Sequence, residues 1–200
     1  MKGDYHHDLN TELCYSSYAK ANHLEEGECL IDYLFQLEDQ AKKFAAAYFE
    51  APGMCLPGVM DLQGNPLGGW PMYALSPTNQ LWLCHLIKKH SDYLGDQAFL
   101  EQKAYPYIKE CAKLILALLV RDENGELTLP LSSSPAIHDN TLKAWLAPNS
   151  NYDLALMRCL FEDLYHMSIA LKPRGRPRDN GRIRLPLLLH CIQIQTAASK

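Results

Sequence analysis

The sequence has 200 residues, of which 48% are hydrophobic, and its formal net charge is −4 at pH 7. These totals are those of one sizeable globular domain, and they exclude a chain that is disordered throughout. The acidic balance argues against nucleic acid as a partner, and the sequence has no apolar run of about 18 residues that would predict a membrane span.

The first part of the chain predicts an irregular start followed by one long helix. The first dozen residues, MKGDYHHDLNTE, are polar, and no apolar run after Met1 predicts a signal peptide. From about Asn22, apolar residues recur at steps of three and four, which predicts a helix that ends at Ala51-Pro52-Gly53. The segment from there to Asn79 is turn-rich. Its length of roughly 25 residues predicts a connection that is either functional or poorly ordered.

Three more helices are predicted along the chain. The segment Ser76-Pro77-Thr78-Asn79 caps the second helix, and Gly95-Asp96 ends it. The third is predicted over residues 97–120, with a kink or a restart at Tyr105-Pro106. The fourth starts near Asn151. No strand-rich region separates them, so the fold class is all-α, with about four long helices and with the long loops gathered at one end.

The last segment, residues 172–200, changes character. Five arginines lie within about eleven residues there, whereas the preceding 171 residues contain two, and the helical period stops. A basic tail for acidic partners, an unfolded terminus and a shifted reading frame would each explain this change. We favour a non-homologous or disordered tail, which divides the chain into residues 1–171 and 172–200.

The seven cysteines form no C-x-x-C pair, so the sequence predicts reduced thiols and neither a zinc ribbon nor a redox motif.

The segment LSSSPAIHDN, residues 131–140, is named the serine loop. It interrupts regular secondary structure and contains several kinds of polar side chain close together. Its serines lack a G-x-S-x-G elbow, which excludes a serine hydrolase of that type. His138 and Asp139 are its polar pair. The chain also lacks a glycine-rich phosphate loop.

Three segments of the chain together resemble glycoside hydrolase family 95, the α-L-fucosidase and α-L-galactosidase family. The segments are GDYHHDLNTELCYSSYAKANHLEEG, GGWPMYALSPTNQLWLCHLIKKHSDYLGDQAFLEQKAYPYIKECA and LPLSSSPAIHDNTLKAWLAPNSNYDLAL. The resemblance implies an (α/α)6 toroid. Because a complete ring of six hairpins has about twelve helices, this chain would be a partial toroid.

The resemblance also implies an inverting hydrolysis of a terminal sugar. Such a reaction uses an acid on one side of the glycosidic bond and a positioned water on the other, with the two groups about 6.5–9.5 Å apart. In this family, an asparagine pair in the first segment holds the water, helped by a distant aspartate that this chain lacks. The pair falls on Asp8 and Asn10, and the acid position falls on Ala136, whose methyl group cannot give a proton.

Other side chains complete the expected site. Trp70 in the GGWP corner is expected to floor a sugar subsite, and His7, His138 and Asp139 are expected to contact sugar hydroxyls. Among His6, His7 and Asp8, only His6 and Asp8 would point to the same side of an extended strand. Two ligands are too few for a typical metal site, so a metal is not favoured there and no cofactor is predicted. The expected partner is a glycan. Exposed inner faces of a partial ring are also expected to favour self-association.

Two other functions compete with this interpretation. The first is a non-catalytic helical module that binds carbohydrate or another partner. The second is another glycosidase or phosphorylase on the same toroid, for which Asp61 is the only loop carboxylate that suits the acid. The location of the chain is not predicted from the sequence. The lack of a predicted signal peptide would suggest the cytoplasm.

Overall fold

The computed structural model describes residues 5–134, 137–146 and 149–171. Most of them are helical, which confirms the predicted all-α class. The helices are α1 Leu9–Cys14, α2 Leu24–Gln36, α3 Glu38–Phe49, α4 Pro71–Ala74, α5 Asn79–Leu94, α6 Gln97–Phe99, α7 Tyr105–Leu118 and α8 Asn151–Ala170. A π-helical turn, Leu100–Ala104, joins α6 to α7, and a 3-10 turn spans Leu142–Ala144. Within the described part of the chain, no helix is long and apolar enough to cross a membrane.

Four strands of two residues each form two antiparallel pairs. β1 Tyr5–His6 pairs with β2 Val59–Met60, and β3 Val120–Arg121 pairs with β4 Leu127–Thr128. The second pair forms a hairpin around Asn124-Gly125, where Gly125 has a φ of 82°. The first pair matters for the site, because it joins the start of the chain to the long segment before α5.

Helix α5 lies at the centre of the fold and contacts α2, α7 and α8. Leu83 and Ile87 on α5, Ile108 and Ile115 on α7, and Leu160 on α8 are at most 1% exposed. Each such side chain contributes about 1.5–3 kcal/mol through burial. The long helices therefore share one apolar core.

The helix predicted from about Asn22 to Ala51 is divided in two, which corrects that prediction. α2 ends at Gln36 and α3 starts at Glu38, with Leu37 between them at φ −89° and ψ 1°. Leu37 is itself buried and belongs to the same core as Leu34 and Ala41. Because the apolar stripe continues across the break, the hydrophobic period could not reveal it.

The prediction of an irregular first dozen residues is also wrong from Leu9 onward. α1 forms there and contacts α5. The residues that α1 buries are Thr11 and Glu12, at 7% and 0% exposure, rather than apolar side chains. A helix with a polar buried face has no hydrophobic period, so sequence patterning did not indicate it.

The kink or restart predicted at Tyr105-Pro106 takes the form of a change of helix type rather than a restart, because Ala104 and Tyr105 both keep a right-handed helical backbone. Pro106 has no backbone N–H to donate, and it lies where the π-helical turn becomes α7. The π-helical turn comes directly before it. At the end of α5, Gly95 adopts a left-handed φ of 66°, and the Asp96 side chain accepts a hydrogen bond from the Ala98 N–H to start α6.

Candidate active site

The strand pair β1–β2 places the first motif against the GGWP corner. The His7 N–H donates to the Gly58 carbonyl oxygen at 2.8 Å, and the Gly58 N–H donates to that of Ala74 at 2.7 Å. A Cβ at Gly58 would lie 2.1 Å from the Tyr73 carbonyl oxygen. A glycine is therefore needed where the two motifs meet.

Three rings form a row across this junction. The His6 ring stacks on Tyr73 with centroids 6.2 Å apart, and the Trp70 ring is 6.2 Å from Tyr73 on a tilted plane. Trp70 is 39% exposed and stands directly before α4, with Pro71 as the first helical residue. Exposed rings in a row present the apolar faces on which the C–H face of a sugar can stack.

The serine loop joins the same junction from a third part of the chain. The Ser133 hydroxyl donates to the Met72 carbonyl oxygen at 2.6 Å, and the Ser150 hydroxyl donates to the Ser133 carbonyl oxygen at 2.6 Å. The Leu146 N–H donates to the Ser132 carbonyl oxygen at 2.8 Å. The beginning of this loop is thus fixed next to the GGWP corner and to the start of α8.

Asp153, in the first turn of α8, accepts hydrogen bonds from two of these segments. Its carboxylate accepts hydrogen bonds from the hydroxyls of Thr78 and Ser132 and from the Ser133 N–H. Burial raises the pKa of Asp153, and the hydrogen bonds from Ser132 and Thr78 oppose that shift. One buried carboxyl therefore links the loop before α5, the serine loop and α8.

Asp8, the first of the two residues predicted to hold water, stands immediately before α1. Its Oδ1 lies 3.7 Å from His6 Nδ1 and, within the described residues, has no hydrogen-bond partner. Burial raises the pKa of Asp8, while His6 and nearby backbone N–H groups lower it. Asn10, its partner in the motif, is exposed on α1. His6 and Asp8 converge as expected, although the strand ends at His6 and Asp8 lies in the turn before α1.

Glu12 was not singled out from the sequence, yet it is the most enclosed ionisable group of the site. It is 0% exposed, and neither carboxyl oxygen has a hydrogen-bond partner among the described residues. Burial, and then the charge of Asp8, raise the pKa of Glu12 to about 8, while Tyr152 opposes this shift. The Tyr152 hydroxyl itself donates to Asn79 Oδ1 at 3.1 Å. Glu12 is therefore protonated near neutral pH.

His7 is buried between two tyrosine rings. It is 1% exposed, and its ring lies 4.9 Å from Tyr5 and 6.4 Å from Tyr33. Neither ring nitrogen has a partner in the described part of the chain, and burial lowers the pKa of His7 to about 4. A sugar contact by His7 stays a prediction, and the His6 side chain, at 34% exposure, is more accessible.

His138 and Asp139 lie in the exposed part of the serine loop, both with left-handed backbones at φ 65° and 50°. The Thr141 hydroxyl donates to the His138 carbonyl oxygen at 2.7 Å. Among the described residues, no hydrogen bond or ring contact joins either side chain to Asp8 or Trp70. Ala136 lies outside the described residues, so the structure gives no position for it.

The candidate site contains no group of three metal ligands among the residues that the structure describes. His6 and Asp8 converge, but no described residue completes a three-ligand group with them. Asp61, the loop carboxylate nominated for an alternative acid, accepts hydrogen bonds from the Gln63 and Asn65 N–H groups and from the Asn65 side chain. The Asn65 contacts lower the pKa of Asp61, which keeps it ionised and does not suit a proton donor.

The chain matches the model of the glycosyl hydrolase family 95 catalytic domain over residues 1–195. It belongs to this family. Among curated proteins, it is 29% identical over 172 residues to "Alpha-L-fucosidase 2" of Arabidopsis thaliana, a match that covers 83% of this chain and 20% of that protein. It is 27% identical over 149 residues to "Probable alpha-fucosidase A" of Aspergillus niger, which covers 70% of this chain and 18% of that protein.

This family 95 chain thus spans about a fifth of the length of the curated relatives it matches. The match to the family model extends to residue 195 and includes most of the segment predicted to be a separate tail. That segment lies outside the described residues, and the boundary at residue 172 stays a prediction.

Proposed function

We propose that this chain forms the part of an inverting family 95 domain that binds the sugar and holds the water. The substrate would be a glycan with a terminal α-L-fucosyl or α-L-galactosyl residue. The observation that carries the proposal is the meeting of the three motif segments: His6 stacks on Tyr73, and Ser133 bonds to Met72. Both relatives reported above are named as fucosidases, which supports a fucoside.

Asp8 and Asn10 would hold the attacking water. Asp8 has an enclosed carboxyl oxygen without a hydrogen-bond partner in the described residues, so it can accept a hydrogen bond from a water molecule. Burial raises the pKa of Asp8, which makes its carboxylate a stronger base than an exposed aspartate. Asn10 is two residues further along, with an exposed amide that can complete the contact.

The proton donor is the part that this chain would lack. The serine loop is fixed by Ser132, Ser133 and Asp153, so position 136 follows a well-anchored backbone. Alanine at that position removes the acid without removing the loop. Because positioned acid catalysis contributes about 10²–10⁴-fold, hydrolysis by this chain would be slow or absent.

Sugar contacts would come from the ring row and from the exposed loop. Trp70 would form the floor of the subsite, with Tyr73 and His6 beside it, because these rings are neighbours and at least partly exposed. His138 and Asp139 would contact sugar hydroxyls from the outer part of the loop, where both are exposed. His7 would join them only if a sugar reached the interior.

The experiment restores the acid. We expect Ala136→Glu, in a chain extended with the remainder of the Arabidopsis relative's catalytic domain, to hydrolyse a fluorogenic α-L-fucoside about 10²–10⁴-fold faster than the parent. Ala136→Gln is the matched control, because its amide has the same shape and cannot give a proton. Equal rates for the Glu and Gln variants would overturn the assignment of residue 136.

A second candidate is a binding module without turnover, and the exposed Trp70 together with Ala136 favours it. The same variants distinguish the two functions. If α-L-fucose binds the extended chain, Trp70→Ala abolishes that binding, and Ala136→Glu still gives no hydrolysis, the module is supported over the enzyme.

A further inference from the structure

Three metal-ligating side chains meet between α5 and α8. His85 projects from α5, whereas Cys159 and Asp163 are four residues apart on α8 and therefore share one face. The ligand atoms of the three lie within 4.8 Å of one another. His85 Nδ1 is 2.9 Å from Asp163 Oδ2 and 3.1 Å from Cys159 Sγ, and Sγ is 3.6 Å from Oδ2.

The arrangement does not fit a cysteine nucleophile. In a relay of that kind the thiol and the carboxylate bond to different nitrogens of the imidazole. Here Cys159 and Asp163 both approach Nδ1 of His85. Burial, followed by the charge of Asp163, also raises the pKa of the Cys159 thiol to about 12, so the free thiol is a poor nucleophile.

The distances between the three ligand atoms suit a bound cation. Bonds of about 2.0–2.3 Å at tetrahedral angles set the ligand atoms roughly 3.2–3.7 Å apart. The three observed separations are within a few tenths of an ångström of that range, so small rotations of the side chains would accommodate an ion. The His85 and Asp163 side chains are 39% and 15% exposed, which gives the ion a path from solvent.

We propose that His85, Cys159 and Asp163 bind a zinc ion, with a fourth position open to water. A thiolate, an imidazole and a carboxylate are the ligand types of zinc sites, whereas calcium and magnesium prefer all-oxygen sites. Glu162 adds negative charge beside Cys159. The ion would clamp α5 to α8, and these two helices begin at Asn79 and Asn151, next to the candidate active site.

Cobalt is the probe, because Co²⁺ bound by a thiolate gives a charge-transfer absorption that an oxygen and nitrogen site does not. We expect the complete 200-residue chain, kept reduced, to bind one Co²⁺ with that absorption and to lose it when Zn²⁺ is added. Cys159→Ser should abolish the absorption. His85→Asn and Asp163→Asn should weaken binding about 10–100-fold or more, because even outer partners of metal ligands matter that much.

Matched controls separate this site from the other thiols and imidazoles. Cys29→Ser changes an exposed cysteine on α2, and His23→Asn changes an exposed histidine paired with Glu26. Both should bind Co²⁺ as the parent does. Zn²⁺ should also raise the melting temperature of the parent but not of Cys159→Ser, whose helix content is checked by circular dichroism.

Absence of the absorption in the parent, its persistence in Cys159→Ser, or its loss in Cys29→Ser would overturn the proposal. If Cys159→Ser does not fold, Asp163→Asn decides, since a carboxamide keeps the shape of the side chain. The measurement requires no sugar and no turnover, so its result is independent of the proposed glycosidase function.

Discussion

At the scale of single residues, two buried ionisable groups set how stability depends on pH. The pKa of His7 is lowered to about 4 and that of Glu12 is raised to about 8, both through burial. Each group is therefore neutral in the folded state across much of the range in which it is charged in the unfolded state. Such groups cost stability, and proteins tend to keep them at functional sites.

We expect Glu12→Gln to make the protein more stable above neutral pH. Between pH 4.5 and about 8, unfolded Glu12 loses its proton while folded Glu12 keeps it, so the free energy of unfolding falls as pH rises. The fall should amount to about 2–4 kcal/mol, and the amide should remove most of it. Urea unfolding at pH 5 and pH 8 measures the difference between the two proteins.

The exposed Glu28→Gln on α2 serves as the control, and it should keep the pH dependence of the parent. If Glu12→Gln loses as much stability between the two pH values as the parent does, Glu12 is ionised in the folded protein. Burial of Glu12 would then not explain the loss of stability as pH rises.

At the scale of elements, the start of α8 is fixed by a cap that also fixes the serine loop. The Ser150 hydroxyl accepts a hydrogen bond from the Asp153 N–H at 3.1 Å and donates one to the Ser133 carbonyl oxygen at 2.6 Å. A single hydroxyl therefore orients both the first turn of α8 and the backbone at Ser133. Formation of the helix and placement of the start of the loop are coupled here.

We expect Ser150→Ala to lower the free energy of unfolding by about 1–3 kcal/mol, because it removes an N-cap and leaves buried backbone groups without a partner. Ser168→Ala, near the end of the same helix, removes only a bond to the Tyr165 carbonyl oxygen and should cost less than about 0.5 kcal/mol. Denaturant unfolding of both variants checks the ranking. Equal costs would show that the cap does not fix the loop.

At the scale of the whole molecule, several large apolar side chains lie on the surface. Leu9 and Leu13, four residues apart on α1, are 36% and 56% exposed, and Leu142 is 89% exposed. Surfaces of this kind often contact another part of a protein or another molecule. The chain also covers only about a fifth of the relatives it matches. We propose that these faces mediate self-association of the isolated chain.

Sedimentation velocity tests this proposal. We expect the mean mass of the 200-residue chain to rise with concentration, and Leu13→Glu to reduce that rise, because a charge on the α1 face opposes apolar contact. Leu62→Glu introduces the same charge at an exposed loop residue and should have a smaller effect. A monomer at every concentration would exclude association through α1.

The amino-acid sequence by itself determined the helical class, most helix ends and the family motifs. These depend on local chemistry: the hydrophobic period marks α5 and α7, Gly95 provides a left-handed cap, and Pro106 lies where the helix type changes. The same period hid the break at Leu37, since its side chain continues the buried stripe. The motif residues Asp8, Asn10 and Trp70 could be named because their spacing resembles the family's, although their roles stay proposals.

Only the tertiary structure decided which polar groups meet. The hydrophobic period cannot indicate α1, because the buried face of that helix is formed by Thr11 and Glu12. No local pattern links Thr78 or Ser132 to Asp153. The His85 and Asp163 pair is likewise separated by 78 positions along the chain. The physical reason is the same in each case. Burial, pKa and hydrogen bonding of a polar group depend on neighbours that folding supplies from distant segments, whereas helix formation depends on residues three and four positions away.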